Sequence, residues 1–270
     1  MNILQMFSYP FMQRALIAGV LVSLCAALLG VPLVLKRYSM IGDGLSHVSF
    51  GALAIAVALG VMPLYFSIPV VILAAFFLLR MASHPHWKSD AAIAPVSASA
   101  LAIGILVISR TTGMTTDVDN YMFGSVLAMT KGDVALSVVL SVTVLTLYLL
   151  FYHQIFAVTF DESFSRATGL KVDTCNTLLA ILTALTIVLG MRMMGAMLIS
   201  SLVIFPALTA MRLFKGFRGG ILCAAVTSVV CFCVGLTISF GFSTPVGATV
   251  VAADLTVFPA ACLLAALRRK

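Results

Sequence analysis

The chain has 270 residues, of which 62% are hydrophobic and 9% are charged, and its mean hydropathy is +1.17. A soluble domain carries about 45–50% apolar and about 25% charged residues, so this composition excludes a soluble protein. The formal charge of +7 does not indicate nucleic acid, because Lys and Arg of membrane proteins gather on cytoplasmic loops. We therefore expect an all-α polytopic protein in contact with membrane lipid, with one membrane domain over residues 1–270.

Nine apolar segments are long enough to cross a membrane as helices, since a spanning helix needs about 20 mostly apolar residues. The boundary between the sixth and seventh segments is the weakest, because only Arg192 interrupts the apolar stretch there. Two helices or one re-entrant segment could occupy that position. The predicted spans are approximately 14–35, 39–61, 63–80, 91–109, 133–152, 175–192, 195–212, 219–240 and 246–267.

The positive charges predict the orientation of these spans. With the N-terminus outside, twelve Lys and Arg residues face the cytoplasm and four face outward, and such an excess marks the cytoplasmic side. The C-terminus is then cytoplasmic. The inner residues are Lys36, Arg37, Arg80, Lys88, Arg166, Lys171, Arg212, Lys215, Arg218, Arg268, Arg269 and Lys270, and the outer residues are Arg14, Arg110, Lys131 and Arg192.

Two connections are longer than a hairpin needs. The outer connection, residues 110–132, contains an aromatic and apolar stretch that could form a short helix in the membrane interface. In the inner loop 153–174, Asp161 suits a helix N-cap, Glu162 suits the first turn, and Gly169 suits a left-handed cap. These features predict a helix of about two turns over residues 161–168.

The predicted inner helix is amphipathic. Phe160, Phe164 and Ala167 recur at helical spacing and are expected to form one apolar stripe. An amphipathic helix that docks into a partner's groove uses anchors at this spacing. A helix resting on lipid is the alternative, although such helices favour Lys and Arg on their polar face, and this one begins with two acids. The rest of its surface is expected to hold Asp161, Glu162, Ser165 and Arg166.

The second span carries an ionisable pair. Asp43 and His47 are four residues apart, which places them on one face of a helix. A carboxylate and an imidazole suit a divalent cation such as Zn²⁺, Mn²⁺ or Fe²⁺, and they also suit a proton relay. In the alternative interpretation Asp43 caps the start of the helix and His47 hydrogen-bonds a neighbouring helix. Gly42, Gly44 and Gly51 would permit close helix packing.

Asp254 is the other carboxylate well inside an apolar segment. Because its neighbours in sequence are apolar, it must face a partner or a water-filled path. It is thus a possible pathway residue, and pairing with an Arg or a backbone amide is the structural alternative. His84 and His86 lie on an inner loop beside Lys88 and are expected to be solvated.

Several enzyme motifs are missing from the sequence. There is no G-x-x-x-x-G-K-[ST] loop to hold nucleotide phosphates, no H-E-x-x-H and no G-x-S-x-G. We therefore expect that the chain is not an enzyme, and that any ATP hydrolysis belongs to a partner chain.

The sequence resembles the zinc/manganese/iron ABC permease family along most of its length. Residues 40–47, Met-Ile-Gly-Asp-Gly-Leu-Ser-His, resemble that family's G-D-A-L-S-H-A segment, and residues 121–125 resemble its outer-loop segment. Residues 160–170 resemble F-D-x-x-x-A-x-x-x-G-L, residues 194–207 resemble G-x-L-L-x-x-x-L-L-x-x-P-A, and residues 244–249 resemble P-x-G-A-T. The chain departs from the pattern at Gly44 and Ser165, where Ala is usual.

The resemblance implies a homodimeric permease of a bacterial plasma membrane, similar in fold to the cobalamin-type ABC importers. Its ion path would follow the dimer axis, with Asp43 and His47 at positions that meet the ion. The cargo would be zinc, manganese or iron, and the chain itself would bind no cofactor. Two copies of an ABC ATPase and an extracytoplasmic metal-binding protein would complete the system. The inner helix would couple the ATPase to the membrane through Phe160, Asp161, Glu162, Phe164, Arg166 and Gly169.

Two other functions fit the residues. In a proton- or ion-coupled secondary transporter, Asp43, His47 and Asp254 would form a relay, and no ATPase would be needed. In a membrane scaffold, the same side chains would only form interhelical hydrogen bonds. Copurification of an ATPase chain would separate these hypotheses from the permease.

Overall fold

The computed structural model describes residues 9–82, 89–111 and 131–267, with side chains described except at positions 82 and 89–92. Regular structure in these ranges is helical. The helices are α1 (Pro10–Leu35), α2 (Ile41–Ala58), α3 (Pro63–Ala82), α4 (Ser89–Thr111), α5 (Lys131–Leu150), α6 (Tyr152–Phe160), α7 (Glu162–Ala167), α8 (Val172–Met194), α9 (Ala196–Leu213), α10 (Phe217–Phe242) and α11 (Val246–Leu267).

The nine predicted spans are confirmed. Across the three described ranges, nine helices are long and apolar enough to cross a membrane, and their ends shift from the predicted ones by a few residues. The boundary near Arg192 separates two helices, α8 and α9. Gly195 lies between them with φ of 86°, a conformation that glycine adopts at little cost, and its N–H closes α8 by donating to the Met191 carbonyl.

Four helices form the centre of the molecule. Most residues of α1, α2, α8 and α9 are buried, whereas α3, α4, α5, α10 and α11 surround them and leave most of their surface open. A helix that is apolar on every side carries no stripe to show which face is buried. The sequence therefore predicts the spans but not their order from the centre outward.

The inner loop differs from its prediction. Residues 153–174 are not one connection with a single helix, because α6 continues the chain beyond α5 from Tyr152 to Phe160. Three aromatic rings on successive turns of α6, those of Tyr152, Phe156 and Phe160, pack on Phe217 at the start of α10 with centroid distances of 5.7, 5.1 and 5.9 Å. Such aromatic pairs stabilise a contact beyond their buried area, which explains the extra helix.

Two predicted features lie outside the described residues. They are His84 and His86, and the interface helix within residues 110–132, of which only the ends belong to α4 and α5.

Two ion pairs relate the ends of the helices. Lys36 after α1 pairs with Glu162 of α7, and Arg192 near the end of α8 pairs with Asp133 at the start of α5 at 2.9 Å. Since α5 and α6 lead from Asp133 to Glu162, the two pairs lie on opposite sides of the bundle. The distribution of Lys and Arg in the sequence likewise predicts that Lys36 and Arg192 lie on opposite sides of the membrane.

Candidate functional site

Asp43 and His47 line a cavity of about 280 Å³ between α2 and α4. Both belong to α2, and the helical spacing places them on one face, as the sequence predicts. The wall from α4 is built of small and aliphatic side chains and one hydroxyl, that of Ser97. Asp43 and His47 are therefore the ionisable groups of the lining. The lining residues are Met40, Asp43, His47, Ile93, Ala94, Ser97, Ala98 and Leu101.

The two polar side chains face each other at a separation that suits shared ligation. Asp43 Oδ1 lies 3.5 Å from His47 Nε2. Two ligand atoms bound to one tetrahedral Zn²⁺ at the usual bond lengths are about 3.4 Å apart. The Asp43 side chain is 40% exposed and the His47 side chain 18% exposed, so both can be reached from the cavity. This separation fits two ligands of one divalent cation, and it equally fits a direct contact between the carboxylate and the imidazole.

Asp43 does not cap the start of α2. Met40 occupies the N-cap position, Asp43 is the third residue of the helix, and its carboxylate contacts His47. The capping interpretation of Asp43 is therefore wrong. Its position in the first turn still suits a carboxylate, because the helix dipole favours negative charge there.

Close packing of α2 on α4 gives the cavity its shape. A Cβ atom on Gly51 would come within 2.8 Å of the Ala100 carbonyl oxygen, and one on Gly44 would collide with the side chain of Ile93. Small residues let helix backbones approach in this way in membranes. The sequence predicts the close approach, but it does not identify α4 as the neighbour.

Asp254 lies apart from this cavity. It is 1% exposed on α11, which packs against α9 and α10, and its Oδ2 accepts a hydrogen bond from Ser201 Oγ at 3.1 Å. Its Oδ1 is buried without a hydrogen-bond partner among the described residues. The structure therefore does not bring Asp254 together with Asp43 and His47. Its polar neighbours are the Ser201 hydroxyl and the Cys231 thiol rather than the Arg or backbone amide expected from the sequence.

The short helix α7 forms a second candidate site, in the loop that the charge pattern predicts to be cytoplasmic. The predicted helix 161–168 is present as Glu162–Ala167, and Asp161 is its N-cap, with Oδ1 accepting the Phe164 N–H at 2.9 Å. Gly169 ends the helix with φ of 86°, and the following Leu170 N–H returns to the Ser165 carbonyl. Arg166 forms an exposed ion pair with Asp173 at 3.1 Å.

The predicted apolar stripe is exposed, but it does not lie on one helix. Phe160 belongs to α6, while Phe164 is 66% exposed and Ala167 is also exposed. The buried position of α7 is Ser165, at 0% exposure, which the sequence placed on the polar surface. The side chain that faces the bundle is thus small. The aromatic side chains of Phe160 and Phe164 are exposed on the face of the loop that points away from the helix bundle, where a partner protein could contact them.

Glu162 is held by residues that sequence reasoning missed. Its Oε1 accepts hydrogen bonds from Lys36 Nζ at 2.6 Å and from Asn176 Nδ2 at 3.2 Å. Burial raises the pKa of the neighbouring Tyr38, and the negative charge of Glu162 raises it further. In the sequence Lys36 is one of two cationic residues after the first span. That position indicates the cytoplasmic side but gives no contact with Glu162.

The fold and these two sites define a polytopic helical membrane protein with a cavity that contains an Asp–His pair and with a short capped helix in a loop. A family model described as the ABC 3 transport family matches residues 8–265. The chain belongs to the ABC 3 transport family, and it is therefore the membrane permease of an ABC-type transport system. This confirms the resemblance found in the sequence motifs.

Several characterised or named relatives cover nearly the whole chain. A probable metal transport system membrane protein of Treponema pallidum is 32% identical over 240 residues, which are 87% of this chain and 88% of that protein. The manganese import system permease protein ScaB of Streptococcus gordonii is 29% identical, covering 97% of this chain and 94% of ScaB. The zinc uptake system membrane protein ZnuB of Haemophilus influenzae is 28% identical, covering 93% and 96%.

Two solved structures share the fold. PsaBC from Streptococcus pneumoniae, solved in complex with a Fab, is 28% identical with a TM-score of 0.85, covering 96% of this chain and 95% of the other. An inward-facing metal-chelate type ABC transporter is 15% identical with a TM-score of 0.72, covering 93% and 85%. At that identity the second likeness concerns the fold alone. Together they confirm the all-α architecture of an ABC permease.

Proposed function

We propose that the chain is the membrane subunit of an ATP-driven importer of manganese or zinc ions. The observation that carries the proposal is the Asp43 and His47 pair, which faces an accessible cavity at a separation suited to one divalent cation. The names of ScaB and ZnuB support the choice of ions. Neither name refers to iron, so the third metal implied by the sequence motifs is left out of the proposal.

A second copy of the chain would complete the ion site. Within the described ranges no group of three His, Cys, Asp or Glu side chains could hold a metal, so one copy offers only two such ligands. His47 Nδ1 is buried without a partner in the same part of the chain. The exposed face of α4 carries Ala94, Ala98 and Ala102 on successive turns, and small residues of this kind suit close helix packing in membranes.

Two copies would offer two carboxylates and two imidazoles near one axis. Four such ligands satisfy Zn²⁺, and the same ligand types also suit Mn²⁺. Conduction requires that the ion leave as well as enter, so the site must bind weakly. Its partly exposed carboxylates are consistent with a transient site.

The helix α7 would receive the ATPase. Phe164 projects from it, and no aromatic ring of the described residues packs on that side chain. An exposed aromatic anchor on a capped helix suits a groove in a partner protein. Phe160, Asp161, Glu162, Arg166 and Gly169 form and orient the rest of this surface. Two ATPase copies would bind a dimer, and an extracytoplasmic metal-binding protein would deliver the ion.

The secondary-transporter hypothesis is not favoured. It needs Asp43, His47 and Asp254 in one relay, whereas Asp254 is buried on α11 and does not line the cavity of α2 and α4.

Uptake by vesicles tests the proposed function. We expect vesicles that contain the chain and its copurifying ATPase to accumulate radioactive manganese or zinc only when ATP is supplied on the cytoplasmic side. A non-hydrolysable ATP analogue is the control, because it binds without providing the free energy of hydrolysis. Accumulation driven by a proton gradient without ATPase would instead establish a secondary transporter.

Cysteine labelling tests the proposed orientation. We expect Ser163→Cys, on exposed α7, to react with an impermeant maleimide only after the membrane is opened, because positive charge concentrates on that side. Met62→Cys, in the exposed turn between α2 and α3, should react in intact cells. Both variants are made in a chain whose six cysteines have been replaced. Labelling of both positions from outside would refute the topology.

A further inference from the structure

A buried lysine joins three elements at the inner side of the bundle. Lys36 follows α1, and its side chain is only 6% exposed. Its Nζ donates at 2.6 Å to Glu162 Oε1 of α7 and at 2.6 Å to Asn176 Oδ1 of α8. Asn176 Nδ2 in turn donates to Glu162 Oε1, which closes the network. A buried ammonium group is costly unless it is paired and hydrogen-bonded, and here it is both.

The lysine is connected to the ion ligands by a short, well-ordered turn. Only Lys36 to Met40 separate α1 from α2, and Asp43 lies in the first turn of α2. The Arg37 N–H bonds to the Val34 carbonyl at 3.0 Å and the Tyr38 N–H to the Leu33 carbonyl at 2.9 Å, which is a Schellman ending. The Ile41 N–H then bonds to the Tyr38 carbonyl at 3.1 Å, so hydrogen bonds fix the turn on both sides.

The other attachments of α7 are few. It has six residues, and only Ser165 among them is buried. Its exposed ion pair between Arg166 and Asp173 contributes little, as surface pairs usually do. The contact between Glu162 and Lys36 is therefore the direct polar link from α7 to the turn that precedes the ion ligands.

We propose that Lys36 is a positioning residue that transmits movement of α7 to the ligand-bearing end of α2. The proposal rests on the proposed function, because the movement in question is that of an ATPase bound at α7. When α7 moves, Glu162 moves with it and displaces Lys36 through their ion pair. The hydrogen-bonded turn after Lys36 then transmits the displacement to Asp43. Lys36 itself touches neither the ion nor the ATPase in this scheme.

Substitution of Lys36 tests the link. Lys36→Met keeps the length of the side chain and removes the charge, and it leaves no buried carboxylate stranded, because the Glu162 side chain is 43% exposed. We expect ATPase copurification and ATP hydrolysis to persist while the number of ions imported per ATP falls about tenfold, a size common for coupled contact residues. Lys36→Arg should retain most of the coupling because it keeps the charge. Lys215→Met, at an exposed lysine on the same side, is the matched control.

The outcomes separate this inference from the proposed function. Failure of the unmodified chain to bind an ATPase would refute the proposed function itself. Full coupling in Lys36→Met, with the unmodified chain behaving as expected, would refute only the role of Lys36. Loss of ATPase binding in Lys36→Met would also overturn the inference, since the residue would then support docking. Equal loss of coupling in Lys36→Met and Lys36→Arg would show that the charge is not the link.

Discussion

Removal of either cavity ligand is expected to abolish metal uptake. Asp43→Ala or His47→Ala takes one ligand type from both copies of a dimer, so only two of the four ligands remain. Loss of an outer-shell partner of a metal site already costs about 10–100-fold, and loss of a direct ligand should reduce uptake by about a hundredfold or more. The measurement is ATP-driven manganese or zinc uptake in vesicles.

A matched substitution shows whether the effect belongs to the cavity. His153→Ala removes an imidazole at an exposed position that does not line the cavity, and it should transport normally. Size-exclusion chromatography should show unchanged dimer assembly for all three variants. Transport at the wild-type rate by Asp43→Ala and His47→Ala would refute the ligand assignment. The pair would then be only a contact within α2.

Phe164→Ala is expected to loosen the ATPase and to uncouple hydrolysis from uptake. Loss of a buried aromatic anchor at an interface commonly costs about 2 kcal/mol or more, which is roughly a thirtyfold loss of affinity. The isolated chain should keep its thermal stability, because the side chain is 66% exposed and touches no described ring. The proposed ion ligands Asp43 and His47 lie on another helix, so metal binding there should not change.

Phe242→Ala is the control for this prediction. Phe242 is 78% exposed at the end of α10 on the opposite side of the bundle, where no ATPase would bind. Copurification of the ATPase and transport in vesicles are measured for both variants. If Phe164→Ala retains both at wild-type levels, α7 is an interfacial helix that rests on lipid.

Local patterns explain why much of the molecule could be predicted. Each span needs about 20 apolar residues, so composition alone identifies it. The spacing of Asp43 and His47 is a property of one helix, and so are the cap at Asp161 and the left-handed ending at Gly169. The nine spans and the face shared by the two ligands therefore follow from the sequence.

Contacts between distant residues could not be predicted in the same way. Lys36 and Glu162 are separated by 126 positions, and Ser201 and Asp254 by 53, so no local spacing relates them. The burial of Ser165 and the extra helix α6 depend on how α6 and α7 dock against the bundle. The resulting errors concern the loop that contains α6 and α7 and the hydrogen-bond partner of Asp254.

The sequence by itself determined the family, the nine spans found in the described residues and the shared face of Asp43 and His47 on α2, because these depend on composition, ordered motifs and helical periodicity. Only the tertiary structure decided that α4 forms the other wall of the cavity and that Asp254 lies elsewhere. The physical reason is that membrane-spanning helices are apolar on every side. Which faces meet is therefore set by small residues and a few polar contacts between helices, and a single segment of sequence does not contain that information.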